Sequence, residues 1–293
     1  MLVATVLGLA ASWIAGSIMA AGHPSRVAIA APPSQDIQFH TRDGVSIAAT
    51  FRPGHGDHSP AVLLLHGVGA SRQATAANAA WLASLGYATL TIDFRGHGQS
   101  TIVPRTFGLR EALDARTAFI WLKRRQNGAP VSIIGISLGG AASLLGDTGP
   151  IPADALILQA VYPDIRRAIR NRIASRTSGS IGYLLEPLLS FQTPLRLGVW
   201  PSRLSPVTAL SQYHGPVLLI GGEQDRSTPP AETRAMFAAV KGHRELWLVA
   251  TGDHAEICVL ATEEYRARIR AFLVKTIGPA DSPGSGTCPR VCT

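Results

Sequence analysis

The residues VSIIGISLGG at positions 131–140 place a single serine at the end of an apolar run. Ser137 lies between Gly135 and Gly139, which gives the pattern G-x-S-x-G. In that pattern, a sharp turn from a strand into a helix lifts the serine hydroxyl clear of the sheet. The helix that follows presents free N–H groups and the positive end of its dipole. Taken alone, the stretch is compatible with ordinary packing as well as with a nucleophile, and the remaining sequence has to separate the two.

The composition is that of a folded protein with a basic surface. The chain has 293 residues, of which 46% are hydrophobic and 16% are charged, enough for a sizeable core in one domain or two small ones. Its formal net charge is +8, from 27 Lys and Arg against 19 Asp and Glu. A basic balance can indicate a nucleic acid, an anionic membrane or an acidic substrate as partner. The basic residues are spread along the chain and no nucleic-acid motif is present, so we expect no nucleic-acid partner.

The N-terminal segment is apolar and uncharged from residue 2 to residue 21. That length is close to the ~20 residues a helix needs to cross a bilayer. The sequence AIA at 28–30 offers a signal-peptidase site, although no basic residues precede the apolar run. We therefore expect residues 1–30 to be a signal peptide or a membrane anchor outside the folded domain. The protein would then be exported, periplasmic or secreted, or associated with a membrane through residues 2–21. Whether the segment is cleaved stays open.

The cysteines predict little chemistry. Cys288 and Cys292 could close a small disulfide in an oxidising compartment, while Cys258 would be a small buried hydrophobe. Residues 278–293 are rich in Pro, Gly and Ser and are expected to form a flexible tail. Three cysteines and nine scattered histidines provide no zinc framework, so we predict neither a metal nor a cofactor.

Between residues 36 and 277, short apolar runs alternate with stretches of helical period. A run such as AVLLL at 61–65 predicts a strand buried on both faces. We therefore expect an α/β fold with a mostly parallel sheet and helices on both faces, in which ligands bind at the carboxyl ends of the strands. The turn at 43–44 predicts an antiparallel hairpin at one edge. The helix expected over residues 72–85 would turn these side chains inward: Ala77, Ala80, Trp81 and Leu85.

One region interrupts this alternation. Residues 162–206 contain no predicted strand, and Ile165, Ile169 and Ile173 are spaced as on one face of a helix. The region could be a cap over a site or a peripheral helical excursion. The arginines between the isoleucines could face solvent or an anion. These arginines are Arg166, Arg167, Arg170 and Arg172.

Reactive residues follow several of the predicted strands. Asp225 follows PVLLIGG, His254 follows the last strand, and HGVG at 66–69 follows the third strand. A serine hydroxyl is a weak nucleophile, so it needs a base such as His254 within hydrogen-bond reach. Asp225 can fix the imidazole tautomer, and the neighbouring Asp253 is either a turn residue or a rival carboxylate.

The tetrahedral oxyanion formed by such a serine also needs donors in place. The backbone N–H groups of Val68 and Leu138 are the candidates, because one lies in the His-Gly loop and the other directly follows Ser137. The chain order is serine, aspartate, histidine, each at a strand end.

These motifs resemble the α/β-hydrolase superfamily over roughly residues 36–277. The resemblance rests on HGVGAS, DFRGHGQS, GISLGG, GGEQDRSTP and GDHAE, in that order. It is greatest to small bacterial esterases of the dienelactone-hydrolase-like and prolyl-oligopeptidase-like branch. It implies an α/β-hydrolase fold with a small helical cap insertion at 162–206. In the DFRGHGQS loop, Arg95 and His97 are expected to brace the site.

The resemblance also implies a serine hydrolase that cleaves a small-molecule ester or thioester through an acyl-enzyme on Ser137. A serine peptidase of the same fold, a non-catalytic exported binding protein and an acyltransferase remain alternatives. The sequence does not determine the oligomeric state or the acyl group.

Overall fold

The computed structural model describes residues 2–254, 257 and 262–279. Apolar runs form strands throughout this part of the chain, and most strand residues are buried on both faces of the sheet. The strands within it are β1 (His23–Pro24), β2 (Gln35–His40), β3 (Ser46–Arg52), β4 (Ala61–Leu65), β5 (Ala88–Ile92), β6 (His97–Gly98), β7 (Val131–Ile136), β8 (Ala155–Gln159), β9 (Val217–Gly222) and β10 (Arg244–Val249).

Eight of these strands form one sheet, in the order β10-β9-β8-β7-β4-β5-β3-β2. All neighbours from β10 to β5 are parallel, whereas β3 pairs antiparallel with both β5 and β2. The hairpin predicted around Asp43-Gly44 is thus the edge of the sheet. The predicted α/β-hydrolase fold, with a mostly parallel sheet, is confirmed.

Helices cover both faces of the sheet. On one face lie α2 and α10, whose Leu82 and Phe272 pack with Val62 and Leu64 of β4. On the other lie α3, α4, α8 and α9. The helices within the described residues are α1 (Leu2–Ala20), α2 (Ala76–Ser84), α3 (Glu111–Arg125), α4 (Leu138–Leu144), α5 (Ile165–Ala174), α6 (Gly179–Ser190), α7 (Thr193–Leu197), α8 (Pro206–Leu210), α9 (Pro230–Ala239) and α10 (Thr262–Ile277).

The inward face expected for α2 is confirmed for Trp81 and Leu85, which pack against the core, and is wrong for Ala77. The helix buries Ala79 and Leu82, while Ala77 is exposed. A 3₁₀ turn over Arg72–Thr75 precedes the helix, so the α-helical phase begins only at Ala76. A 3₁₀ turn has three residues per turn, which rotates the following face relative to an uninterrupted α-helix.

The region of residues 162–206 folds as helices α5, α6 and α7. Ile165 and Ile169 of α5 are buried, as their spacing predicted. Asp164 caps α5 by accepting the backbone N–H of Arg167 at 2.9 Å. These helices follow β8, and α5 contributes side chains to the pocket described below. We refer to residues 162–206 as the cap.

The N-terminal helix is packed on the cap, which differs from the expectation that residues 1–30 lie outside the folded domain. Ser12 Oγ donates to the carbonyl of Leu188 at 2.8 Å. The guanidinium of Arg196 lies 3.8 Å from the centre of the Trp13 ring. Cleavage and anchoring of the segment stay predictions. Within residues 2–254, 257 and 262–279, no helix combines the length and the apolar character that crossing a bilayer requires.

A short parallel pair that the sequence did not predict follows α1. Strand β1 pairs with β6, with His23 opposite His97. This pairing ties the segment after α1 to the loop at the end of β5. The three cysteines, including the predicted Cys288–Cys292 pair, and most of the predicted tail lie outside the described residues.

Candidate active site

Ser137 sits in a backbone conformation that few residues other than glycine adopt. Its φ is 48° and its ψ is −106°, between the end of β7 and the first residue of α4. Its N–H donates to the carbonyl of Gln159 on β8 at 2.8 Å, which holds the turn against the sheet. A non-glycine residue at positive φ costs about 1–3 kcal/mol, and such residues concentrate at functional sites.

The glycines around Ser137 are required by close contacts. A Cβ on Gly135 would lie 2.6 Å from the backbone N of Gly140, inside the turn. A Cβ on Gly139 would overlap the backbone carbonyl of Leu65 on the neighbouring strand. A Cβ on Gly140 would overlap the side chain of Val161. The strand, the turn and the helix can therefore approach this closely only with glycine at these positions.

The structure brings Asp225 and His254 together. His254 Nδ1 lies 2.8 Å from Asp225 Oδ2. Asp225 is buried, and its other oxygen accepts the N–H groups of Ser227 and Thr228 at 2.7 and 2.8 Å. These bonds hold the carboxylate beside the imidazole. The rival carboxylate Asp253 is exposed.

Ser137 and His254 line one pocket at the carboxyl ends of the strands, with a volume of about 370 Å³. Val68 and Leu138, the candidate oxyanion donors, line it as well. Leu138 is the first residue of α4, so its N–H has no acceptor within the helix. The five predicted site residues are thus Ser137, His254, Val68 and Leu138 at the pocket wall, and Asp225 directly behind His254.

The loop that carries Val68 is held by His66. This imidazole is fully buried, and its Nε2 accepts the N–H of Phe94 at 3.2 Å, while Nδ1 lies 2.7 Å from the carbonyl of Gly67. The geometry assigns the proton to Nδ1. Burial lowers the pKa of His66 to about 3, so the ring stays neutral. The loop position therefore depends on an uncharged histidine.

Arg95 and His97 lie behind the site and do not line the pocket. Arg95 Nη2 donates to Asp114 at 2.8 Å and Nη1 donates to Asp43 at 2.6 Å. His97 stacks edge-on against His66 with ring centres 5.1 Å apart. This network connects the hairpin, the DFRGHGQS loop and α3.

Several pocket residues were not found from the sequence. Ile18 and Met19 come from the end of α1, which was assigned to a cleaved or anchoring segment. Arg105 follows the DFRGHGQS loop, and Arg176 lies just beyond α5. None of these positions belongs to a recognisable motif. Only the fold of the cap and of α1 brings them to Ser137.

The arginines of α5 have different surroundings. Arg166 donates to Glu186 at 2.8 Å, and Arg170 lies over the ring of Tyr183 at 4.1 Å. Arg172 lines the pocket. The basic face predicted for this helix is therefore split between ion pairs within the cap and a side chain at the site.

Comparison with known proteins agrees with this fold. A family profile described as serine aminopeptidase, S33 matches residues 56–191. An esterase structure from Pyrococcus furiosus superposes with a TM-score of 0.69 at 21% identity, covering 88% of this chain and 99% of that one. This likeness shows the fold.

Two relatives match part of the sequence. The protein YqkD of Bacillus subtilis is 28% identical over 194 residues, which cover 64% of this chain and 63% of that protein. The lysophosphatidylserine lipase ABHD12 of Gallus gallus is 35% identical over 127 residues, covering 41% of this chain and 33% of that protein. The chain thus spans less than two thirds of the length of either relative.

Proposed function

Because the chain is a member of the α/β-hydrolase superfamily, we propose that it is a serine hydrolase that cleaves an ester through an acyl-enzyme on Ser137. The observation that carries the proposal is the strained Ser137 turn sharing one pocket with His254, whose Nδ1 lies 2.8 Å from Asp225. Strain at a turn has to be stabilised by the surrounding fold, and three glycines in close contact serve this turn.

In the proposed reaction, Ser137 Oγ attacks the ester carbonyl while Nε2 of His254 takes the hydroxyl proton. Asp225 keeps the proton of the imidazole on Nδ1 and stabilises the imidazolium that forms. The N–H groups of Val68 and Leu138 bind the oxyanion. The intermediate then collapses, and the leaving alcohol receives its proton from His254. Water, activated by His254, attacks the acyl-enzyme and regenerates Ser137.

The pocket walls favour an apolar acyl group of small to medium length. Ile18, Met19, Phe107, Ile165 and Ile169 supply hydrocarbon surface next to Ser137. The names of the relatives, an esterase and a lysophosphatidylserine lipase, agree with an ester substrate. A thioester would react by the same steps, because its carbonyl carbon is attacked in the same way.

An aminopeptidase is the alternative that the S33 profile suggests. Such an enzyme has to bind a substrate ammonium group, for which a carboxylate is the natural partner. Among the described residues, no Asp or Glu lines the pocket, whereas three arginines do. The charge of the pocket therefore favours an ester over a peptide with a free amine.

The test is a panel of p-nitrophenyl esters and matching thioesters of increasing acyl length, compared with amino-acid p-nitroanilides. We expect ester hydrolysis by the wild type, an optimum at short or medium acyl chains, and loss of turnover in Ser137→Ala and His254→Ala. Product analysis with added alcohols separates hydrolysis from acyl transfer. Hydrolysis of the anilides alone would support the peptidase, and no turnover of any substrate by folded protein would support a binding protein.

Export or membrane association of the chain is part of the proposal and rests on the apolar sequence at 2–21. N-terminal sequencing of the protein recovered from each cell fraction tests it. An N terminus close to residue 31 in the exported fraction would support cleavage after the AIA sequence. An intact N terminus in the membrane fraction would support anchoring.

A further inference from the structure

The candidate catalytic pocket carries more positive charge than ester cleavage uses. Arg105, Arg172 and Arg176 line it together with Ser137 and His254. No carboxylate among the described residues lines the same pocket. Arginine does not lose its proton in proteins. Three fixed positive charges around a cavity of about 370 Å³ therefore raise the local concentration of anions.

On α5, the arginines outside the pocket differ in having carboxylate partners. On the same helix, Arg166 lies 2.8 Å from Glu186 and Arg167 lies 3.4 Å from Asp164. In the part of the chain that the structure describes, Arg172 and Arg176 have no carboxylate within 4.0 Å. Charge on the outer face of α5 is thus compensated within the cap, while that of Arg172 and Arg176 at the pocket has no such partner.

Arg105 is the most confined of the three. Its Nη2 donates to the carbonyl of Met19 at 2.8 Å, which sets the direction of the guanidinium. Its Nε is buried and has no hydrogen-bond partner within the described residues. A Cβ built on Gly69 would lie 3.9 Å from Nη1, so the side chain reaches the loop that carries Val68. A partly buried guanidinium with an unused N–H is stabilised when a ligand supplies an anion.

We propose that Arg105, Arg172 and Arg176 form an anion subsite, through which the enzyme selects esters that carry a carboxylate or phosphate group. The inference rests on the proposed hydrolase function and specifies its substrate class. Guanidinium groups match both anions, because their N–H donors form parallel pairs with two oxygens. The hydrocarbon surface of Ile165 and Ile169 lies in the same pocket, so the substrate would be an amphiphile.

The anion can belong to the acyl part or to the alcohol part of the ester, and two matched pairs of substrates distinguish these sources. Mono-p-nitrophenyl glutarate differs from p-nitrophenyl valerate by a carboxylate in place of the terminal methyl group. Butyryl glycerol phosphate differs from monobutyrin by a phosphate on the alcohol. We expect the wild type to have the higher kcat/KM for the anionic member of at least one pair.

Charge removal should act mainly on the anionic member of each pair. In Arg105→Gln, Arg172→Gln and Arg176→Gln, kcat/KM for the preferred anionic ester should fall about tenfold or more, since hydrogen bonds to charged groups are lost. For the neutral partner, kcat/KM should fall much less. Arg167→Gln is the matched control: it removes the same charge from α5 at a residue paired with Asp164, and it should change neither rate.

A binding measurement separates failure of this inference from failure of the hydrolase proposal. Calorimetry on Ser137→Ala with monomethyl glutarate, methyl valerate and glycerol phosphate needs no turnover. Anion binding that the arginine substitutions remove would sustain the subsite even if the wild type hydrolyses no ester. Equal kcat/KM for the anionic and the neutral member of both substrate pairs would overturn the anion subsite. An equal fall in kcat/KM for charged and neutral esters in the arginine variants would overturn it as well.

Discussion

Asp225 is bonded on both of its oxygens: Oδ2 lies 2.8 Å from His254 Nδ1, and Oδ1 accepts the N–H groups of Ser227 and Thr228. The carboxylate is therefore fixed before any substrate arrives. A fixed carboxylate holds the histidine in the one tautomer that can accept the proton of Ser137 at Nε2.

Asp225→Asn should keep the fold and lose most of the activity. The amide can stay in the turn, but it can hold the imidazole in the wrong tautomer and cannot stabilise the imidazolium. We expect kcat for a p-nitrophenyl ester to fall by about 10⁴-fold. Asp253→Asn serves as the control, because that residue is adjacent to His254 and exposed, and kcat should stay close to that of the wild type. A large fall in kcat in Asp253→Asn with little change in Asp225→Asn would instead assign Asp253 as the carboxylate that orients His254.

Gly140→Ala should destabilise the protein by overpacking. The added methyl group would overlap the side chain of Val161, which is itself buried. We expect a loss of about 1–3 kcal/mol in the free energy of unfolding, measured with urea. Because the clash is with a side chain, adding Val161→Ala should restore part of the lost free energy of unfolding. In Gly139→Ala the clash is with the backbone carbonyl of Leu65, so no second substitution of this kind is available.

Arg95→Met should destabilise the protein far more than loss of a surface ion pair. The side chain of Asp114 is fully buried and would be left without its cationic partner, and burial already raises the pKa of this carboxyl to about 7 beside Arg95. We expect a loss of about 3–5 kcal/mol in the free energy of unfolding. Adding Asp114→Asn should recover part of this, because a neutral amide is less costly to bury. Arg42→Met removes an exposed pair with Asp147 and should cost less than about 1 kcal/mol. Equal losses in Arg95→Met and Arg42→Met would contradict the buried network.

Stability should fall as the pH is lowered, and His66 should contribute to the fall. The pKa of the buried ring is lowered to about 3, so the folded protein binds its proton less readily than the unfolded chain, whose histidine titrates near 6.5. Its contribution is complete above pH ~6.5 and is lost as the pH falls toward 3, and the loss amounts to about 2 kcal/mol at pH ~5.

Urea unfolding of the wild type and of His66→Gln, each at about pH 8 and pH 5, measures this contribution. Gln can accept the N–H of Phe94 but does not titrate. The wild type should therefore lose more stability between the two pH values than the variant does. Parallel losses would show that His66 is protonated in the folded protein or that its titration is unimportant.

The sequence predicted the sheet and the candidate site residues at its edge because both leave local signals. Apolar runs mark the buried strands, and the glycines around Ser137 mark a turn whose contacts exclude any Cβ. Asp225 and His254 could be named because the carboxyl ends of parallel strands meet at one edge. The distance between them depends on the loop after β9 and on the turn after β10, which no pattern of residues determines.

The parts that were missed depend on packing between distant segments. The inward face of α2 was predicted only in part, because alanines on every side of the helix gave no amphipathic signal and a 3₁₀ turn shifted its phase. Met19 and Arg105 meet at the pocket because the end of α1 lies against the residues after the DFRGHGQS loop. An apolar N-terminal stretch looks the same whether it enters a membrane or packs on a cap, so its sequence could not indicate this contact.

The most direct test of the account is covalent labelling of Ser137 by a fluorophosphonate, followed by intact mass and peptide mapping. The proposed nucleophile predicts one adduct on Ser137 in the wild type, no adduct in Ser137→Ala, and markedly slower labelling in His254→Ala. Folded wild-type protein that stays unlabelled, or an adduct on another residue that persists in Ser137→Ala, would contradict it.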